Sequence, residues 1–139
     1  MKTVLFVCVE NSCRSQIAEA FVKIYGLGIL TAYSSGSKPS GVVNPKAIAS
    51  MAELEYNLSA HSSKSLDEIP QIEYDYCITM GCGDECPFVR ATHRKDWNIR
   101  DPKNMSLDEF RIIRDEIKQN VLELIELIKN KKSEVLLHS

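Results

Sequence analysis

An α/β fold, with parallel strands in a central sheet and helices on both of its faces, is predicted by three observations. Short apolar runs alternate with helical patterns along the chain. The connections between them are short, so successive strands are expected to run parallel through right-handed helical crossovers. The C-terminal third carries one long apolar stripe at helical spacing, suited to packing on a sheet. At 139 residues the chain is read as one domain, residues 1–139, large enough for a single core.

The first strand is expected over residues 3–9, where Val4, Leu5, Phe6 and Val7 form a continuous apolar run. A helix follows from Ser15 to about Tyr25, with Ile17, Phe21 and Ile24 on one face, and Gly26-Leu27-Gly28 supplies a left-handed stop. Residues 29–34 read as a second strand, closed by Ser35-Gly36. Asn44-Pro45 has the form of a helix start, since asparagine caps and proline suits the first helical position. That helix should reach about Glu55, burying Ile48, Met51 and Leu54. Residues 57–71 read as a loop with a short helical turn, 74–80 as a third strand, and 81–104 as irregular. Ser106-Leu107-Asp108-Glu109 has capping-box form. Behind it Phe110, Ile113, Ile117, Val121, Leu124 and Ile128 recur at helical spacing, and the tail from Lys131 to Ser139 should fray.

Composition excludes several function classes. The chain is 44% hydrophobic and 26% charged, which is ordinary for a globular protein. A net charge of −2 argues against a nucleic-acid or membrane-surface binder. No run approaches a membrane span, and Val4 to Val9 is too short for a signal peptide, so a cytoplasmic location is expected. Five cysteines in such a chain should be largely reduced, and an odd count fits a disulfide framework poorly.

The chemistry concentrates at Cys8-Val9-Glu10-Asn11-Ser12-Cys13-Arg14-Ser15. A thiol ends the first strand, an arginine follows six positions later, and a helix begins beside it. The intervening backbone is long enough to curl into a cup whose amides, from Val9, Glu10, Asn11, Ser12, Cys13, Arg14 and Ser15, face a tetrahedral oxyanion. Arg14 would grip two of its oxygens with a planar fork. The same positive field would lower the Cys8 pKa from its reference of about 8.5, making a thiolate poised for a phosphate-like electrophile. In parallel sheets such sites lie beyond the carboxyl ends of the strands, where this loop is placed.

Two further sites follow later strands. Met80-Gly81-Cys82-Gly83-Asp84-Glu85-Cys86 leaves the third strand on the same side, and its glycines free Cys82 to swing toward Cys8. Zinc held by Cys82 and Cys86 with Cys77 or His93 is the alternative for these thiols, but the spacings are not those of common zinc sites and no metal is expected. Cys77 reads as a small core residue and Cys13 as loop structure or an oxidation-prone bystander. Asp101-Pro102 holds a carboxyl group on an extended, rigid segment, where it can pass a proton to a leaving oxygen or simply form a turn. Arg90, Arg94, Lys95 and Arg100 are read as a solvated basic loop.

These motifs together resemble the low-molecular-weight tyrosine phosphatase family, and more closely its arsenate reductase branch. The resemblance rests on Cys8 through Glu19, Ser34-Ser35-Gly36, the loop around His61-Ser62-Ser63, Cys82, and Asp101-Pro102. It implies a three-layer sandwich with a central parallel four-stranded sheet. It also implies that Cys8 attacks arsenate held by the loop amides and Arg14, with Asn11 bracing the loop and Ser15 donating to the thiolate. Asp101 would protonate the departing oxygen. Cys82 would attack the Cys8 sulfur to release arsenite, and Cys86 would resolve the resulting disulfide. No cofactor is bound in this scheme; electrons come from thioredoxin, or from glutathione and glutaredoxin, with a mycothiol route open, and phosphate or sulfate act as analogues of arsenate. The gap from Cys82 to Cys86 is shorter than in the familiar thioredoxin-coupled enzymes. Potassium-binding members use positions matching Asn11, Glu19 and Ser34 plus an aspartate where this chain has Lys64, so no potassium requirement is expected. The alternatives are a tyrosine phosphatase, which Lys103-Asn104 disfavours because aromatic residues usually follow that Asp-Pro, and a non-catalytic redox or anion sensor.

Overall fold

The computed structural model describes residues 1–81 and 88–138, with side chains described to residue 131. Its sheet contains four parallel strands in the order β2-β1-β3-β4: β1 Lys2–Cys8, β2 Leu30–Gly36, β3 Tyr74–Thr79 and β4 Ala91–Asp96. The α-helices are α1 Arg14–Tyr25, α2 Pro45–Ala52 and α3 Leu107–His138, with 3₁₀ turns at Leu58–Ala60 and Leu66–Glu68.

Strand β1 is central in the sheet and packed on both faces, and Val4, Leu5, Phe6 and Val7 are all buried. This explains why it reads as a continuous apolar run and not as an alternation. Val4, Phe6 and Cys8 share one core with the buried faces of α1, α2 and α3. Leu5 and Val7 face the other way, onto Tyr74, Cys77 and Ile69, with Leu66 of the second 3₁₀ turn packed against them. Among the described residues the two faces are therefore covered unequally, by three α-helices on one side and a single helical turn on the other.

The predicted stripe of α3 is buried at every position from Phe110 to Ile128. Each such side chain contributes about 1.5–3 kcal/mol by leaving water. Arg114 fastens this helix to α2 by donating to the Ser50 carbonyl (2.9 Å) and the Glu53 carboxylate (2.8 Å). Arg111 and Arg114 together hold the Glu53 carboxyl down at about 2. At the start of α3, Ser106 Oγ accepts from the Glu109 amide, but the Glu109 carboxylate binds the Ser106 hydroxyl in place of its backbone N–H. No helix among the described residues is long and apolar enough to cross a membrane.

Several expectations need correction. Residues 91–96, read as irregular, form β4. Its exposed Thr-His-Arg-Lys-Asp sequence has no apolar alternation, because it is an edge strand held by pairing with β3. Charge on an edge blocks unwanted strand addition. Helix α2 stops at Ala52, leaving Leu54 partly exposed, and Ile24 of α1 is also exposed. Gly26 caps α1 with negative φ, and the left-handed residue is Gly28, at φ 81°. The tail expected to fray continues α3 to His138.

Candidate active site

All four strands end at one edge of the sheet, and Cys8 sits at the end of β1, between the neighbours β2 and β3 that the chain reaches by opposite crossovers. Such a switch point leaves a crevice beyond the strand ends. The loop after Cys8 is pinned from outside. The carbonyls of Cys8, Val9, Glu10 and Ser12 accept from the amides of Ser37 (3.3 Å), Lys38 (2.8 Å), Ser40 (3.1 Å) and Asn44 (3.0 Å). Peptide units are planar and trans, so each following N–H points away from that strap. The loop crosses so close to β2 that a Cβ on Gly36 would lie 2.6 Å from the Val9 carbonyl oxygen. Only glycine fits there.

Cys8 is buried, and its Sγ lies 2.9 Å from Ser15 Oγ. Asn11 Nδ2 donates to the same Ser15 oxygen at 2.7 Å, which leaves the Ser15 proton free to point at the sulfur. Asn11 is left-handed, at φ 51°, a conformation that asparagine tolerates better than most residues. Its Oδ1 accepts from the Lys64 amide (2.8 Å) and from Gln16 Nε2 (2.8 Å). Gln16 Nε2 also reaches the Ser62 carbonyl (2.8 Å), and Gln16 Oε1 lies 2.9 Å from His61 Nδ1. Tyr56 OH meets His61 Nε2 at 2.6 Å. Burial pushes the His61 pKa down, against the pull of Glu19, so the ring is read as neutral. One hydrogen-bonded chain thus runs from Tyr56 to the Cys8 sulfur.

Arg14 is buried beside the loop. Its Nη1 donates to the carbonyls of Met80 and Ile99 (3.0 Å to Ile99), and its Nη2 lies 3.8 Å from Asp101 Oδ2. One guanidinium therefore ties together the segments that follow β3 and β4. A tight turn delivers the second carbonyl: Asp96 accepts from the amides of Gly81 and Asn98, both at 2.8 Å, and Asn98 is left-handed at φ 50°. Gly81 packs against this corner, where a Cβ would stand 3.0 Å from the Ile99 oxygen and 3.6 Å from Arg14 Nη1. Asp101 is exposed, and its Oδ1 accepts from the Lys103 amide at 3.0 Å.

The structure thus brings Cys8, Asn11, Arg14, Ser15 and Asp101 together at one edge. Burial pushes the Cys13 thiol up to about 12, leaving it an inert neutral group behind the loop. Burial raises Cys77 as well, and it packs beneath the sheet with Leu5 and Val7. Cys82 and Cys86, the thiols of the alternative zinc set, lie outside the described residues; among the described residues no group of three or more acidic, histidine or cysteine side chains could hold a metal ion.

Sequence reasoning missed Met80, Asp96 and Ile99, two of which act through backbone carbonyls that carry no side-chain signature. It also missed the bracing by Gln16. A polar residue beside Ile17, with no solvent to meet, is the one signal that pointed there.

A model of the low molecular weight phosphotyrosine protein phosphatase family matches residues 3–134. A glutaredoxin arsenate reductase of Synechocystis is 40% identical over 128 residues, 90% of this chain and 97% of that protein. A solved arsenate reductase in its phosphate-binding state superimposes with a TM-score of 0.83 at 40% identity, over 92% of this chain and 99% of that one. A thioredoxin-dependent arsenate reductase of Corynebacterium glutamicum superimposes with a TM-score of 0.76 at 32% identity, over 94% of this chain and 63% of that one.

Proposed function

The chain belongs to the low molecular weight phosphotyrosine protein phosphatase family and to the arsenate reductases within it, and we propose that it reduces arsenate to arsenite by a relay of its own thiols. The observation that supports the relay is the tie between Arg14 and the segment that follows β3: the guanidinium donates to the Met80 carbonyl, while its Nη2 lies 3.8 Å from Asp101 Oδ2. In the sequence Cys82 follows Met80 by two residues, which supports a second thiol acting after the first; Cys82 itself lies outside the described residues.

In this reading the amides from Val9 to Ser15 and the Arg14 fork hold arsenate over Cys8. The Cys8 thiolate forms a sulfur–arsenic bond while one arsenate oxygen departs as water, taking a proton from Asp101. Ser15, its oxygen occupied by Asn11, donates its proton toward the attacking sulfur. Cys82 then attacks the Cys8 sulfur. The sulfur–arsenic pair of electrons stays on arsenic, which leaves as arsenite, and a Cys8–Cys82 disulfide forms. Cys86 displaces Cys8 and leaves a Cys82–Cys86 disulfide for an external dithiol. Relatives use thioredoxin or glutaredoxin, and either chemistry closes this cycle.

The test follows arsenate-dependent NADPH loss with thioredoxin and its reductase, or with glutathione and glutaredoxin. Turnover with one donor is expected, and it should vanish in Cys82→Ser. A Cys86→Ser protein that still turns over with glutaredoxin would remove Cys86 from the relay. Hydrolysis of aryl phosphates surviving in Cys82→Ser, with no NADPH loss under either donor, would make the chain a phosphatase instead.

We assign no potassium ion. Glu19 is buried, with Ser34 donating at 2.6 Å and Lys23 Nζ donating at 2.9 Å, and the Lys64 ammonium forms an ion pair with it at 3.9 Å. The Lys64 ammonium also donates to the Ser62 carbonyl at 2.9 Å. A cation of the protein's own thus stands at the carboxylate. Burial, the strongest influence on Glu19, raises its pKa, but Ser34, Lys23, His61 and Lys64 together outweigh it and the net shift is downward. A depressed carboxyl group adds stability that is full above its unfolded pKa of about 4.5 and is lost as pH falls through the lower folded value. The melting temperature should therefore drop on acidification below about 4.5, less steeply in Glu19→Gln, and should be the same in sodium and potassium chloride. A potassium-specific rise in melting temperature would overturn the assignment.

A further inference from the structure

Lys103 Nζ donates to Glu10 Oε1 at 2.7 Å, joining residues 93 apart in the chain. Glu10 belongs to the loop that cups the oxyanion, and its backbone is fixed: its carbonyl accepts from the Ser40 amide and from Ser63 Oγ at 2.9 Å. Lys103 belongs to the opposite wall, two residues after Asp101, to which its own amide is bonded. The ion pair therefore spans the entrance between the thiol loop and the Asp101 loop. Lys103 also stands near enough to Asp101 to feel its charge.

We propose that the Glu10–Lys103 pair is a specificity bar across the mouth of this site. It acts in two ways. A carboxylate on the rim of an anion site repels the incoming oxyanion, and Lys103 cancels it. The joined side chains also cross the space that the ring of an aryl ester would need, while leaving room for a small inorganic oxyanion. Both groups are partly exposed, at 31% and 49%, so the contribution to folding is small and the effect belongs to binding.

The substrate named here rests on the arsenate reading above, but the bar is tested first without turnover, by calorimetric titration of inorganic phosphate. Lys103→Met exposes the carboxylate and should weaken phosphate binding by roughly fivefold. Adding Glu10→Gln to that variant should restore affinity to within about twofold. The double variant should also hydrolyse para-nitrophenyl phosphate with kcat/KM raised several-fold over the native chain. The charge exchange, Glu10→Lys with Lys103→Glu, should recover native phosphate affinity and keep the aryl ester out. Native phosphate affinity in Lys103→Met, or a double variant no better than that single one, would overturn the charge role. A double variant with unchanged aryl ester hydrolysis would overturn the bar. Absence of arsenate reduction in the native chain would sink the earlier reading while leaving the phosphate titration to stand.

Discussion

Cys8→Ser is expected to abolish arsenate-dependent NADPH oxidation completely while leaving phosphate affinity within a few-fold of native. Two separate requirements fail at once. A serine hydroxyl at neutral pH is a far weaker nucleophile than a thiolate, and its partner among the described residues is the Ser15 hydroxyl, which is no base. Oxygen also cannot form the disulfide that carries two electrons away from arsenic, so no slow bypass exists. The structural cost is small, because the replaced atom keeps its buried partner, Ser15 Oγ at 2.9 Å. Retained phosphate binding by calorimetry, with no turnover under either donor, is the predicted pattern. A variant running at even a tenth of the native rate would place the nucleophile elsewhere.

Arg14→Lys is expected to lower kcat/KM for arsenate by about 10²–10³-fold, the scale seen when one oxyanion donor is removed. The guanidinium does two jobs that an ammonium cannot combine. Its fork can bridge two oxyanion oxygens. Its Nη1 meanwhile donates to the carbonyls of Met80 and Ile99, holding two loops at the mouth of the cup. Lysine can satisfy one of these functions at a time and leaves buried carbonyls short of a donor, which costs about 1–3 kcal/mol for each group left unpaired. Steady-state kinetics should show the loss in both KM and kcat, because Asp101, 3.8 Å from Arg14 Nη2, loses its alignment as well. The melting temperature should fall in parallel. A lysine variant within about fivefold of native kcat/KM would show that the loop amides alone bind the anion.

Much of this site was legible because its parts lie within one local segment. Cys8, Asn11, Arg14 and Ser15 sit in one strand–loop–helix unit, and a Cys and Arg at that spacing can scarcely face the same anion in any other way. The final helix was legible for a related reason, since an amphipathic stripe states its own period at every turn. Strand β4 was not. Its residues are polar and exposed, and its extended form comes from pairing with β3, a non-local cause invisible in a window of sequence. Met80 and Ile99 were hidden for a different reason: their backbone carbonyls do the work, and every residue owns one.

The amino-acid sequence by itself determined the local parts of this site: a thiol at the end of a strand, an arginine six residues on at the start of a helix, and strands alternating with helices. Those properties follow from residue type and short spacing, which survive without knowledge of distant neighbours. Only the tertiary structure decided which chain segments meet the cup. Arg14 joins loops separated from it by 66 and 85 residues, and Glu10 meets Lys103 across 93. The physical reason is that such contacts are set by sheet order and crossover geometry, and these place residues side by side that the sequence keeps far apart.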